Sequence, residues 1–271
     1  GDEKPGIIDH QGKIRDLWGH IPDINGDSIN SESLKKIGAI NLSTLPIVSN
    51  DTRLGACVGN VGKFLCIGLN YSDHAAESGL PVPSEPILFS KATSAIVGPN
   101  DNVEIPRNSS ETDWEVELGI IIGKKAKYIN ENEAEEYIAG YCVVNDVSER
   151  AFQIKREGQW TKGKSCDTFG PTGPYLVTKD EIPDVQNLKM YLDVNGKRMQ
   201  DGSTNTMIFS AKHIVYYLSQ FMSLNPGDVI ATGTPPGVGL GMKPPVFLKA
   251  GDTMKLGIEG LGEQNQICIQ G

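Results

Sequence analysis

A β-rich α+β fold, with a small N-terminal subdomain ahead of a larger domain, is the architecture this 271-residue sequence predicts. Three observations lead there. Short segments rich in Val, Ile, Phe and Tyr recur along the chain, turn signals built on Gly, Pro and Asn separate them, and few stretches carry a helical period. The length suits one large domain with an appendage, divided here into residues 1–58 and 59–271.

Taken in order, residues 6–18 (GIIDHQGKIRDLW) predict a hairpin turning at Gln11-Gly12, and a short helix is expected over 31–37. A strand over 63–68 leads into residues 70–79 (NYSDHAAESG), where Ser72 or Asp73 suits an N-cap and Gly79 a C-terminal stop. That leaves barely two turns of helix. Pro81, Pro83 and Pro86 turn the chain into strands over 87–90 and 114–123. A helix is expected over 131–139, then a strand over 140–146 running into a short helix that carries Arg150 and Gln153. Further strands fall over 174–178 and 188–194, the second ending at the hairpin signal Asn195-Gly196. The longest helical pattern covers 210–223, and strands over 228–232, 253–258 and 264–269 close the chain.

Composition excludes several classes. A net charge of −9 and a pI near 5.0 argue against nucleic acid or an anionic membrane as partner. No apolar run approaches the ~20 residues that span a bilayer. The opening Gly-Asp-Glu-Lys-Pro lacks a secretory pattern, and the five cysteines include no CxxC pair. Reduced thiols in a cytoplasmic protein are therefore expected. The glycines of 233–239 make no dinucleotide fingerprint, because prolines stand where a helix should start. There is no GxSxG elbow, and Cys166 has no basic partner nearby in sequence, so nucleophilic catalysis is set aside.

What remains is acidic. Glu115 and Glu117 lie two apart on a predicted strand, so their carboxylates leave the same face. Alone, that spacing describes a solvent-facing strand edge. Asp146, at the end of another strand, would complete three oxygen ligands for a hard cation: Mg²⁺, with Mn²⁺ or Ca²⁺ as substitutes, rather than Zn²⁺. His74 and Glu77, three apart on the short helix, share a face, and Glu77 could fix the imidazole as a general base. Lys164 sits in a polar, Gly-bounded stretch as a candidate for stabilising negative charge. Thr234, in a run of small residues, is a candidate donor to a carboxylate. His213, beside Tyr216 and Tyr217 in the long helix, reads as structural.

The blocks GLNYSDHAAES, TDWEVELG, NDVSERAFQ, KGKSCDTFGP, TMIFS and PGDVIATGTPPGVG follow one another in that order. Together they resemble the fumarylacetoacetate hydrolase family over residues 62–260. The ordered set is specific where no single block is. The resemblance implies a mixed β-roll core, a homodimer, and a keto-acid substrate. It implies Mg²⁺ ligands at Glu115, Glu117 and Asp146, a water-activating pair at His74 and Glu77, and an active-site lysine at Lys164. Gln153, Thr234 and Tyr71 become substrate contacts, while Arg150 either touches ligand or holds the metal-bearing turn. The His-Glu helix is then expected to act as a lid. The implied activity is Mg²⁺-dependent hydrolysis of a carbon–carbon bond in a 2,4-diketo acid, either an acylpyruvate or a 2,4-diketo-3-deoxy sugar acid, giving pyruvate and a second acid. The alternatives are ureidoglycolate lyase, a decarboxylase or isomerase on the same metal, and a non-catalytic keto-acid binder. Leu69 stands where several acylpyruvate-cleaving members carry Arg, which disfavours a dicarboxylate substrate.

Overall fold

The strand Val116–Ile122 is buried along its whole length, and the two layers it separates explain why. In the computed structural model, which describes residues 3–79 and 81–271, it is the fourth of seven strands in the main sheet. The order runs Ile87–Lys91, Phe64–Gly68, Val229–Ala231, Val116–Ile122, Ile138–Asn145, Gly170–Thr178, Ile96–Val97. Pairing is antiparallel except where Val229–Ala231 meets Phe64–Gly68 and where Gly170–Thr178 meets Ile96–Val97. A second sheet of five strands is ordered Lys197–Ser203, Lys189–Val194, Thr253–Ile258, Gly262–Gln270, Val103–Ile105.

Strand alternation gives the central strand two apolar contacts. Val116, Leu118, Ile120 and Ile122 join one core with Met190, Leu192, Met254 and Leu256 of the second sheet. Ile121 points to the opposite side, into a cluster of Phe64, Cys66, Cys142 and Val144 that also takes Ile29, Cys57 and Val58 from the N-terminal residues. Glu117 leaves the strand on the Ile121 side. The result is the expected mixed β-roll, rich in strand.

Several elements differ from expectation for local reasons. The strand predicted over 114–123 is shorter, Val116–Ile122, and a separate two-residue strand before it, Thr112–Asp113, pairs with Ser148–Glu149. Residues Glu131–Tyr137 form a 3₁₀ helix, and the next strand begins early, at Ile138. Glu131 and Glu135, four apart, would repel on an α-helix. Neither Ser72 nor Asp73 caps the short helix: Ser72–Ser78 starts from Tyr71 with no side-chain cap, although Gly79 does end it in the left-handed region at φ 65°. The last helix is shorter than its pattern, Ala211–Ser219, with Ser210 accepting from the His213 amide. Strands Ile96–Val97 and Val103–Ile105 were not foreseen. No described helix is long and apolar enough to cross a membrane.

Candidate active site

Register places the three acidic residues. Val116 pairs with Asn145 and Glu117 with Val144 across the two central antiparallel strands. One step further out, the Asp146 amide donates to the Glu115 carbonyl at 2.9 Å. Glu115 and Asp146 are thus cross-strand neighbours, and such pairs bring side chains together. One carboxylate oxygen from each of Glu115, Glu117 and Asp146 lies within 4.8 Å of the others. All three are buried, so the solvent-facing alternative for Glu115 and Glu117 fails.

Buried carboxylates need partners, and three cations supply them. Lys164 Nζ donates to Glu115 Oε2 at 2.6 Å and to Asp146 Oδ2 at 2.7 Å. Arg150 Nη2 donates to the other Glu115 oxygen at 2.7 Å, while its Nε reaches Asp113 Oδ2 at 2.9 Å and its Nη1 reaches Gln153 Oε1 at 3.1 Å. Arg150 therefore ties the segment bearing Glu115 to Asp113 and Gln153. Lys91 donates from Nζ to Asp146 Oδ1 and, at 3.0 Å, to the Val147 carbonyl. Sequence reasoning missed Lys91, because a lysine closing an apolar strand carries no pattern of its own. Lys164 is 2% exposed, not a solvated loop lysine. It ends the short helix Thr161–Lys164, and Gly163 lets that helix pack directly on the start of Arg150–Ile154.

The acids are not equivalent. Desolvation pushes the Glu117 carboxyl well above its usual range, and the charges of Asp146 and Glu115 push the same way. Desolvation also acts on Glu115, but Arg150 and Lys164 outweigh it and hold that carboxyl below the usual range. Lys164 stays firmly ammonium, since Asp146 and Glu115 overcome its own desolvation. Burial raises the Cys166 thiol, in keeping with no nucleophilic role.

A loop after Val229–Ala231 joins the acids to the histidine. The Gly233 amide donates to Glu117 Oε2 at 2.7 Å. Four residues on, the Gly237 amide donates to both oxygens of Glu77 at 3.2 Å. Glu77 Oε2 in turn lies 3.2 Å from His74 Nδ1. With its proton on Nδ1 the imidazole keeps a lone pair on Nε2, the form of a general base.

Two expected substrate contacts, Thr234 and Tyr71, have hydrogen-bond partners within the protein. The Thr234 hydroxyl donates to the Val116 carbonyl at 2.9 Å and accepts from Gln200 Nε2 at 2.8 Å. Tyr71 is fully buried and packs in the core, with its hydroxyl donating to Met190 Sδ at 3.2 Å. Gln153 remains beside the cluster through Arg150. A groove of about 540 Å³ runs past Phe89, Trp160 and Thr161, and the Phe89 ring centre lies 4.9 Å from Lys164 Nζ.

The donor set fits a hard divalent cation: three oxygen ligands, no imidazole or thiolate, and one carboxyl, Glu117, whose pKa burial and its acidic neighbours raise. Residues 63–267 match the family described as fumarylacetoacetate (FAA) hydrolase C-terminal. A protein of Burkholderia orbicola (strain MC0-3), named provisionally as a hydrolase, is 61% identical over 267 residues, covering 98% of this chain and 95% of that one. The solved fumarylacetoacetate hydrolase of psychrophilic Exiguobacterium antarcticum is 36% identical, with a TM-score of 0.87 over 99% of this chain and 95% of that chain. The 2-hydroxyhepta-2,4-diene-1,7-dioate isomerase of Mycobacterium marinum, also 36% identical, gives a TM-score of 0.70 over 85% of this chain and 80% of that chain. The chain belongs to the fumarylacetoacetate hydrolase family, whose relatives named above are hydrolases and an isomerase.

Proposed function

We propose that this protein is a Mg²⁺-dependent hydrolase that cleaves a carbon–carbon bond in a 2,4-diketo acid, an acylpyruvate or a 2,4-diketo-3-deoxy sugar acid. The products are pyruvate and a second carboxylic acid. The observation that carries this reading is the buried triad Glu115, Glu117 and Asp146, linked through one loop to a His-Glu pair. Mg²⁺ held by the triad would supply Lewis-acid stabilisation of the keto acid's oxygens.

The chain's own residues do the rest. His74, oriented by Glu77, takes a proton from water at Nε2, and the resulting hydroxide adds to the C4 ketone. Collapse of that adduct breaks the C3–C4 bond, and the electron pair leaves on C3 as the enolate of pyruvate. The proton returns to C3. Lys164, kept charged by Asp146 and Glu115, opposes the negative charge that develops on oxygen, a contribution usually worth several kcal/mol. Burial excludes bulk water from the charged cluster and strengthens each of these interactions.

Turnover of such diketo acids in ¹⁸O-labelled water tests the reaction. Hydrolysis must place one solvent oxygen in the new carboxylate. A second reading, isomerisation on the same site with His74 as proton shuttle, is supported by the name of the Mycobacterium marinum relative. Product formation without label incorporation would favour it.

A further inference from the structure

The geometry points to Asp113 as a positioning residue that couples the acidic cluster to the His74–Glu77 pair, an inference that rests on reading that pair as the water-activating base. Asp113 is fully buried and touches neither His74 nor Glu77 in the hydrogen bonds described. Its carboxylate receives four N–H donors. Oδ1 accepts from the Trp114 amide at 2.8 Å and the Gly239 amide at 2.7 Å. Oδ2 accepts from the Leu240 amide at 2.9 Å and Arg150 Nε at 2.9 Å.

One group thereby clamps the loop carrying Gly237, Gly239 and Leu240 to the guanidinium that also holds Glu115. The clamp is reinforced from its neighbour, since Trp114 Nε1 donates to the Gly237 carbonyl at 3.1 Å. The other side of that same residue, the Gly237 amide, holds Glu77. The path from metal ligand to base is therefore Glu115, Arg150, Asp113, the loop, Glu77, His74. It matters because the helix Ser72–Ser78 is seven residues long and lacks a side-chain N-cap, too short to be stable by itself. Its placement must come from such contacts.

Four donors on two oxygens require a carboxylate. An asparagine offers one carbonyl oxygen and an N–H₂, so one of the two donor pairs would face N–H against N–H. The side chain keeps its size, but either Gly239 with Trp114 or Leu240 with Arg150 loses its acceptor.

The test uses the full chain as Asp113→Asn, with Trp114→Phe as a second variant that removes the bond to Gly237 together with part of the indole's packing. Amide exchange over residues 235–242, Mg²⁺ affinity by calorimetry, and kcat and KM on the diketo acid are measured together. For Asp113→Asn, exchange over 235–242 should rise about tenfold. Its kcat should fall by up to about 10²-fold, as expected for a misplaced catalytic group. KM and Mg²⁺ affinity should stay within about threefold, because the triad itself is untouched. Trp114→Phe should show the same pattern, weaker. Unchanged exchange over 235–242 in both variants overturns the inference. So does a loss of Mg²⁺ affinity in proportion to kcat, which would make Asp113 a mere prop of the triad. If the wild type turns over no diketo acid, the proposed reaction fails, and the exchange data still decide the clamp.

Discussion

Glu117 and His74 could be singled out from sequence spacing, and Lys91 could not. The i, i+2 spacing of Glu115 and Glu117 was legible because a strand has a strict two-residue period, and the His-x-x-Glu spacing was legible on a helix for the same kind of reason. Lys91 was not: its partner Asp146 is 55 residues away, and only strand order brings them together. Asp113 was not legible either: it ends a separate two-residue strand, and its four donors come from residues 114, 150, 239 and 240. Replacing Lys91 by Met leaves one oxygen of a fully buried carboxylate without its cation. Denaturant unfolding of the metal-free variant should show a loss of about 3 kcal/mol. His74→Ala, by contrast, should keep Mg²⁺ affinity and stability while kcat falls by about 10²–10⁴-fold in a steady-state assay. Near wild-type turnover in that variant would remove the histidine from the mechanism.

Short elements carry the site, and they are where sequence patterns are weakest. The main strands and the hairpin at Asn195-Gly196 follow their apolar and turn signals closely. Thr112–Asp113, the two-residue break at 114–115 and the four-residue helix Thr161–Lys164 have too few residues to display a period. They are fixed by tertiary contacts. The packing of Thr161–Lys164 on Arg150–Ile154 is the clearest example: a Cβ on Gly163 would lie 2.4 Å from the Gln153 amide nitrogen and 2.4 Å from the Glu149 carbonyl. Both are backbone atoms and cannot simply rotate away. Gly163→Ala should therefore separate the two helices, draw Lys164 from Glu115 and Asp146, and cost about 1–3 kcal/mol in thermal or chemical unfolding. A fully stable Gly163→Ala with unchanged kcat would contradict this account of how Lys164 is placed.

At the scale of the whole molecule, the central strand serves two cores at once, and the site forms where its polar end leaves the sheet. The stability of this arrangement should depend on pH in a defined sense. Glu117 has a folded-state pKa well above its unfolded value, so the fold binds that proton more tightly than the unfolded chain does. The resulting stability is fully present in acid and is lost as pH rises through the folded value. On the proposed function, a divalent cation held by the triad would replace the proton as the balancing charge. The stabilisation on adding Mg²⁺, read as a rise in Tm, should therefore increase with pH above the ordinary carboxylate range, and at a hundredfold excess over Kd the gain in unfolding free energy should approach about 2.7 kcal/mol. A gain that shrinks with rising pH would mean that the cation binds elsewhere.

The most direct measurement is a calorimetric titration of Mg²⁺ into chelator-treated protein, wild type beside Glu115→Gln, Asp146→Asn and His74→Ala. The account predicts a single saturable site that His74→Ala retains and both acid-to-amide variants lose. Absence of saturable binding, or binding that survives Asp146→Asn unchanged, would contradict it.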